Sequence, residues 1–455
     1  MVWGSRLALA GMALAMMGPA CAARAETLED VLAIAYQSNP GLQALRAQLR
    51  VVDESVPQAR AGWFPTVTLS ANGGRGTYMS NASSSEYQTN RTPRDYSSAV
   101  SLPLYSGGQT VAGTAQAESN VLATRETLRA TEQNVLLGAA TSYLDIVRDQ
   151  ALLTLAGNHV RVLRQELDAV RARFEAHEVT QTDVGQAEAR LVQAEADETQ
   201  AEGSLQDSRA AFLDVVGVAA EAPQAPGAAK PVPGRYEEIR EIVLSNNPNV
   251  LSAQHAISVA RSGVDIAVGQ MLPTVSLNGT YSSALSESTQ SSLSNTKQVM
   301  LTVSMPLYDG GANTSKVRSQ KQAVVQKEKE AEQARHDALQ AASKAWDGLR
   351  SARAREKSFQ TQVRANEIAM NGVIAEQKIG SRTVLDVLNA EQELFSARQS
   401  LETARHDEMV SAFQVLSSMG QMTARDLNIS VPLYDPQKHY DEVHNKMFGL
   451  GISGE

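Results

Sequence analysis

The chain has 455 residues, a net charge of -9, only 5% aromatic residues and 20% charged residues. An acidic balance argues against a nucleic-acid-binding protein, because such proteins usually present a basic face. The sequence contains no nucleophile elbow, phosphate-binding loop or metal-ligand spacing, so we expect no enzyme activity, cofactor or metal site. Its long charged stretches are rich in alanine, a composition typical of long helices packed side by side.

Residues 1–25 have the pattern of a secretory signal peptide. Arg6 precedes an apolar run from Leu7 to Met17, and small residues lead to Ala25, which predicts a mature chain beginning at Glu26. The alternative is a lipidated N-terminus at Cys21, which also follows the apolar run. No later segment approaches the roughly 18 to 20 apolar residues of a membrane-spanning helix, so membrane contact would require strands or partners.

The sequence contains an internal repeat. Asn39-Pro40 matches Asn247-Pro248, and Thr182-Asp183-Val184 matches Leu385-Asp386-Val387. We therefore predict a first repeat at 26–220, a linker at 221–235, a second repeat at 236–427 and a tail at 428–455.

Each repeat contains a predicted β-hairpin, at 65–105 and at 273–308. In both, apolar residues alternate with small or hydroxylated ones, as in Val299, Leu301 and Val303. This pattern fits strands between lipid and a wet lumen, although a soluble antiparallel sheet has it too. Four strands cannot close a barrel, which takes about eight, and open edges are not tolerated in lipid. If the strands span a membrane, three chains sharing twelve strands form the smallest assembly with a conduit.

Helical segments follow the hairpins, with apolar residues recurring every seven positions, for example at Val160, Leu167 and Phe174. These are predicted coiled-coil seams, in helices about 100 Å long. Four further segments are predicted as single helices of about half that length: Thr27–Ala61, Thr182–Val218, Tyr236–Gln270 and Thr383–Met419.

With repeats, hairpins and seams in place, the sequence resembles the TolC family of outer-membrane channels from Glu26 to about Gly420. The most specific segment is GSRTVLDVLNAEQELFSARQSLETAR, which begins at Gly380 and is echoed by RFEAHEVTQTDVGQAEARL, which begins at Arg173. The resemblance implies an α+β membrane protein. It would be a trimer, with a long α-helical barrel of coiled-coil type in the periplasm and a 12-stranded antiparallel β-barrel in the outer membrane of a Gram-negative bacterium.

The resemblance also implies a function and partners. The homotrimer would contact outer-membrane lipid and serve as the exit duct for a periplasmic adaptor and an inner-membrane ABC, RND or MFS transporter. Its cargo would be polypeptides, by type I secretion, or small toxic compounds; the tail from Asn428 to Gly449 resembles members associated with type I secretion. The alternative from a different class is a periplasmic coiled-coil adaptor or scaffold without a pore.

The resemblance assigns roles to residues in two helix-turn-helix tips. Arg382 would tie one tip to a neighbouring one, Asp183 and Thr182 would constrain the other tip, and Asp386 would ring the entrance. Adaptor contacts would fall on four further residues of the tips: His177, Glu178, Gly380 and Ser381. The alternative is that the charged residues are solvated turn and helix-start residues. Three positions depart from the family pattern, which has glycine, tyrosine and aspartate where this chain has His177, Gln377 and Asn389.

Overall fold

The computed structural model describes residues 27–80, 87–220, 223–227, 231–285 and 292–451. The predicted signal peptide and Cys21 lie outside the described residues, and the predicted linker lies only partly within them. No helix in the described part of the chain combines the length and the apolar character needed to cross a membrane.

The described part of the first repeat contains five α-helices and four strands. Its elements are α1 Leu28–Ser38, α2 Pro40–Asp53, α3 Ser55–Arg60, a 3-10 turn at Ala61–Trp63, β1 Thr66–Gly73, β2 Gly76–Ser80, β3 Tyr87–Arg91, β4 Arg94–Ser106, α4 Gln109–Glu175 and α5 Gln181–Val216. The second repeat and the tail supply α6 Tyr236–Asn246, α7 Pro248–Gly269, β5 Thr274–Leu285, β6 Leu293–Ser304, α8 Ala312–Lys378, α9 Val384–Ser418 and α10 Lys438–Val443. Helices α4 and α8 each have 67 residues and so measure about 100 Å, as predicted.

Two of the predicted single helices are wrong, because each is interrupted at its Asn-Pro pair. Helix α1 ends at Ser38 and α2 begins at Pro40, while α6 ends at Asn246 and α7 begins at Pro248. Proline disfavours the helical conformation of the residue before it, and Asn39 and Asn247 are both extended. The sequence pattern that identified the repeat is therefore also the signal that ends the first helix of each repeat.

The asparagine of each pair makes the same contact in both repeats. Asn39 Nδ2 donates to the carbonyl of Val215 at 3.3 Å, and Asn247 Nδ2 donates to the carbonyl of Ser418 at 2.9 Å. The accepting residues lie at the C-terminal ends of α5 and α9, where carbonyls lack partners within the helix. Asn39 thus caps the C-terminal end of α5, and Asn247 caps that of α9.

The strands form one antiparallel four-stranded sheet in the order β1-β4-β5-β6, which joins the two repeats through β4 and β5. Val67 pairs with Val100, Leu277 with Leu301 and Val275 with Val303, and these residues define the apolar face. Thr66, Thr68, Ser101, Asn278 and Thr302 define the polar face, where Asn278 accepts a hydrogen bond from Ser101 at 2.8 Å and donates one to Thr302 at 3.1 Å. The predicted alternation is confirmed. A separate ribbon of β2 and β3, which the sequence did not predict, extends the first hairpin.

The chain divides into two compact units, each of which draws on both repeats. The first unit comprises the described residues within Met1–Asn39, Gly138–Ala228 and Thr361–His406. One of its apolar cores contains the predicted seam residues Val160 and Leu167 together with further residues of α4, α5 and α9: Leu163, Val170, Ala187, Leu191, Ala194, Val384 and Leu388. The predicted seam residue Phe174 lies outside this core and is 43% exposed. This unit holds both helix-turn-helix tips.

The second unit comprises the described residues within Pro40–Leu137, Ala229–Gln360 and Asp407–Glu455, and contains the sheet and the described part of the tail. Helix α10 of the tail is anchored by a buried pair, because His439 Nδ1 lies 3.1 Å from Oδ2 of the fully buried Asp53. Burial raises the pKa of Asp53, and the hydrogen bond and charge of His439 oppose that rise. Arg60 also donates to the carbonyl of His444 at 3.1 Å. These contacts hold the described part of the tail against α2 and α3.

Candidate functional site

The first tip connects α4 to α5 through a helix C-cap at His177. The backbone N–H of His177 donates to the carbonyl of Phe174 at 2.9 Å, and that of Glu178 donates to the carbonyl of Arg173 at 2.9 Å. This closure requires a left-handed residue, and His177 has φ +64°. The side chain of His177 is exposed, with Nδ1 3.0 Å from the carbonyl oxygen of Glu175.

The second tip, between α8 and α9, closes in the same way at Gly380. The N–H of Gly380 donates to Gln377 O at 2.9 Å, and the N–H of Ser381 donates to Glu376 O at 3.0 Å. Gly380 has φ +81°, and a Cβ placed on it would meet nothing within 4 Å. Glycine therefore serves here for its backbone freedom and not to make space.

Asp183 and Asp386 occupy equivalent positions, since each closes the start of a helix. Thr180 N donates to Asp183 Oδ2 at 2.9 Å while Asp183 N donates to Thr180 Oγ1 at 3.3 Å, which is a reciprocal capping box. Thr383 and Asp386 repeat both contacts at the same distances. Hydrogen bonds from the backbone and hydroxyl of Thr383 lower the pKa of Asp386, and the charge of Arg382 contributes less. The predicted helix-start role of the aspartates is confirmed, and the cap in the first tip is Thr180, with Thr182 exposed in the first turn of α5.

Arg382 has a partner within its own tip. Its Nε donates to Glu376 Oε2 at 2.8 Å, and this contact raises the pKa of the guanidinium. In the first tip the position equivalent to Arg382 is Val179, which packs against the apolar core of that unit. Of the two tips, the second thus carries this ion pair, which joins its turn to the end of α8. The structure places Asp183 and Arg382 in different tips, each with a local partner.

Two of the three positions that depart from the family pattern connect the helical hairpin α4–α5 to the helical hairpin α8–α9. Gln377 on α8 donates to Glu166 Oε1 on α4 at 3.3 Å. Asn389 on α9 accepts from Arg190 Nη2 on α5 at 3.1 Å. Glu166 and Arg190 were not predicted as partners, because nothing in a linear pattern shows which helix faces fold against each other.

A buried histidine on α4 contacts α9 and so connects the same two helical hairpins at a second place. His159 on α4 stacks on Phe395 of α9, with ring centroids 4.2 Å apart, and its Nδ1 lies 3.3 Å from Glu391 Oε1. His159 was not predicted from the sequence as a site residue. A histidine next to a coiled-coil seam gives no signal of its partner until the opposing helix is placed.

In the part of the chain that the structure describes, no group of three or more His, Cys, Asp or Glu residues is arranged to hold a metal ion. What the tips offer is a set of hydrogen bonds and ion pairs between helix ends. Such an arrangement can hold helices together and release them, since exposed charge pairs contribute little to stability.

Comparison with known proteins shows similarity to outer-membrane efflux proteins over most of the chain. The family model for outer membrane efflux proteins matches residues 31–218 and 239–421. The chain is 33% identical to the outer membrane efflux protein BepC of Brucella suis biovar 1 (strain 1330), over 94% of this chain and 93% of BepC. It is 25% identical to the outer membrane protein TolC of Vibrio cholerae serotype O1, over 89% of this chain and 92% of TolC.

Among solved structures, that of CusC, a protein that forms a transmembrane channel, matches with a TM-score of 0.77. The match covers 86% of this chain and 91% of CusC at 18% identity, and so shows a common fold. The predicted resemblance to TolC is confirmed by the family match and by the relatives. The chain therefore belongs to the outer membrane efflux protein family, and it is an outer-membrane export channel of a Gram-negative bacterium.

Proposed function

We propose that three copies of this chain form a conduit, with a 12-stranded β-barrel in the outer membrane and a helical tunnel in the periplasm. The observation that carries this is the sheet. Within the described residues its order leaves β1 and β6 at the edges, and its two faces have opposite polarity. Pairing β6 of one chain with β1 of the next removes both edges, as a lipid environment requires. The polar face then lines the lumen.

Exposed aromatic side chains at the two ends of the apolar face support a membrane span. Tyr96 and Tyr281 lie towards the hairpin ends, and Tyr105 lies at the end joined to the helices, with side chains 57%, 44% and 44% exposed. From Tyr96 to Tyr105 strand β4 covers about 30 Å, which a barrel tilt of about 40° reduces to roughly 23 Å. That height fits the apolar band of about 25 Å between the aromatic girdles of outer-membrane barrels.

Cysteine crosslinking between edge strands tests the assembly. We expect Thr68→Cys on β1, combined with cysteine at Met300, Thr302 or Ser304 on β6, to give covalent trimers in non-reducing gels at one of these registers. Each single variant is the control, because a trimer cannot be linked through one strand edge alone. Crosslinked species that stop at dimers, or a protein that fractionates with the periplasm, would favour the scaffold without a pore.

The proposed partners are a periplasmic adaptor and an inner-membrane transporter of the ABC, RND or MFS type, and the chain itself acts as a duct without enzyme activity. BepC is named an efflux protein, and the tail of this chain resembles members associated with type I secretion. The proposed cargo is therefore polypeptides, small toxic compounds or both. Copurification of the crosslinked trimer with its transporter from the native host identifies the cargo class.

We further propose that the two tips form the periplasmic gate and the adaptor contact. The local contacts support this, because each tip is a closed turn whose exposed residues are free to meet a partner. These residues include His177, Glu178, Gly380, Ser381 and Thr182. In this proposal Gln377 with Glu166 holds the α8–α9 helical hairpin against α4, while Arg382 with Glu376 fixes the turn of the second tip. Asp183 and Arg382 remain the proposed links between neighbouring tips in the trimer.

Single-channel recording in planar bilayers tests the gate. We expect Arg382→Ala and Asp183→Ala to raise the closed-state conductance with an unchanged yield of trimer, because exposed contacts at the tips are not needed for assembly. Lys329→Ala is the matched control, since Lys329 forms an exposed pair with Glu332 within α8, away from the tips. Parental conductance in both tip variants would remove these residues from the gate and leave the trimer intact.

A further inference from the structure

The few charges of the four-stranded sheet are sorted by sign between its two faces. Among the described residues of β1, β4, β5 and β6, only Arg94, Asp95 and Lys297 are charged. Asp95 pairs with Asn72 on the polar face and accepts a hydrogen bond from it at 2.7 Å. Arg94 pairs with Leu285 and Lys297 pairs with Tyr281, so both cations belong to the apolar face.

Both cations also lie in the half of the sheet that is farther from the helices. Strands β1 and β5 follow helical segments and β4 and β6 lead into α4 and α8, so the free end of the sheet is at Gly73, Arg94, Leu285 and Leu293. Arg94 stands on the last pair of the β1–β4 ladder, and Lys297 is four residues from the end of β6. Beyond Arg94 the ribbon adds Arg91, whose guanidinium stacks 4.7 Å from the ring of Tyr78.

A cation on a lipid-facing surface is costly at the bilayer centre and becomes favourable where its head reaches the interface. Lys297 has the neighbour expected there, because its Nζ lies 5.8 Å from the ring centroid of Tyr281. Tyrosine beside lysine at the edge of an apolar band is the composition of a membrane interface. The anion that a lipid interface offers to such cations is phosphate.

We propose that Arg94 and Lys297 bind phosphate groups of lipid in the leaflet that faces away from the helices. The proposal rests on the proposed function, since it requires the apolar face to contact lipid. With helices in the periplasm, that leaflet is the outer one, whose lipid carries phosphate on its sugar headgroup. Four residues along the strands and two strands across separate the cations by roughly 17 Å, so each contacts its own phosphate.

Lipid titration of the purified full-length trimer, followed by native mass spectrometry, tests the site. The probes are lipid A with two phosphates, the same lipid after enzymatic dephosphorylation, and an excess of inorganic phosphate as competitor. We expect the parent to prefer the phosphorylated lipid, and Arg94→Gln and Lys297→Gln each to reduce that preference about fivefold, the effect of one cation near an anionic surface. Asp95→Asn on the polar face and Lys316→Gln, an exposed cation of α8, are controls that keep the parental preference.

Equal binding of the two lipids by the parent, or an unchanged preference in the double variant, would overturn the proposal. Displacement of the lipid by inorganic phosphate would also overturn it, because the site would then take the free anion. Conductance of the same preparations separates this result from the proposed channel, since a conducting trimer without lipid preference refutes only the lipid site. If the double variant fails to assemble, Arg94→Lys with Lys297→Arg should retain the preference, and its loss there would count equally against the proposal.

Discussion

His177 adopts the left-handed backbone conformation that glycine adopts at the equivalent position of the other tip. Both residues close a helix with the same pair of backbone hydrogen bonds, at φ +64° for His177 and φ +81° for Gly380. A side chain in this region crowds the neighbouring carbonyl and costs roughly 1 to 2 kcal/mol. Histidine is among the residues more often found there, and here its ring contacts the carbonyl of Glu175. The first tip is therefore expected to be less stable than a glycine would make it.

Substitutions at His177 and Gly380 test this reasoning. We expect His177→Gly to stabilise the first tip by about 1 kcal/mol by relieving the backbone conformation. Gly380→Ala should destabilise the second tip by a similar amount, because its Cβ has room and the cost is purely conformational. Hydrogen exchange of the amides of Glu178 and Ser381 measures both effects. Equal protection in His177→Gly and the parent would show that the histidine contact compensates for the strain.

At the scale of elements, the buried Asn247 connects two helix ends. Its Oδ1 accepts from the N–H groups of Asn249 and Val250 at the start of α7, while Nδ2 donates to the last turn of α9. We expect Asn247→Ala to lower stability by about 2 kcal/mol, since it removes a cap and leaves a carbonyl of Ser418 without this donor. Asn39→Ala is the matched variant in the first repeat and should cost less, because Asn39 is only partly buried and its bond is longer. Thermal unfolding in detergent compares the two, and a larger loss in Asn39→Ala would contradict this ranking.

The strands show how much depends on the face that a residue occupies. Leu301 and Val303 belong to the apolar face and Thr302, between them, to the polar face. If the apolar face meets lipid near the bilayer midplane, Leu301→Arg or Val303→Arg should cost about 2 to 4 kcal/mol, whereas Thr302→Arg should be tolerated in the lumen. Urea unfolding of the barrel in lipid vesicles measures these costs. Greater damage from Thr302→Arg would place lipid on the other face.

At the scale of the whole molecule, a threefold assembly multiplies every charge at the entrance. Three copies of Asp386 would form a ring of carboxylates, which favours cations and repels anions. The ring should be charged at neutral pH, because the hydrogen bonds from Thr383 lower the pKa of Asp386. The hydrogen bonds between the Asp386 carboxylate and Thr383 stabilise the start of α9 at pH values above the ordinary pKa of about 3.8. This contribution is lost as the pH falls through the lowered pKa.

We therefore expect the channel to prefer cations and Asp386→Asn to weaken that preference. The amide keeps an oxygen for Thr383, so the helix start is preserved while the charge is removed. Asp183→Asn, at the same capping position of the other tip, is the control for loss of charge at an equivalent site. Reversal potentials in a salt gradient across a planar bilayer measure the selectivity, and an unchanged value in Asp386→Asn would exclude the carboxylate ring.

The sequence by itself determined the local structure and the family. The period-seven seams predicted α4 and α8, the alternation of residues such as Leu301 and Thr302 predicted the strands, and the repeated motifs led to the outer membrane efflux proteins. These features could be read directly because each depends on residues close together in the chain. Even the helix interruption at Asn39 and Asn247, which was not predicted, is a local effect of the following proline.

Only the tertiary structure decided which residues act together. Gln377 contacts Glu166, Asn389 contacts Arg190 and Arg94 shares a face with Lys297, and each of these relations depends on how separate elements are placed. A linear pattern gives the face of a helix or strand that carries a residue but not the element opposite to it. The physical reason is that contacts between hairpins depend on packing and register, which arise from apolar burial across the whole unit and not from any one segment.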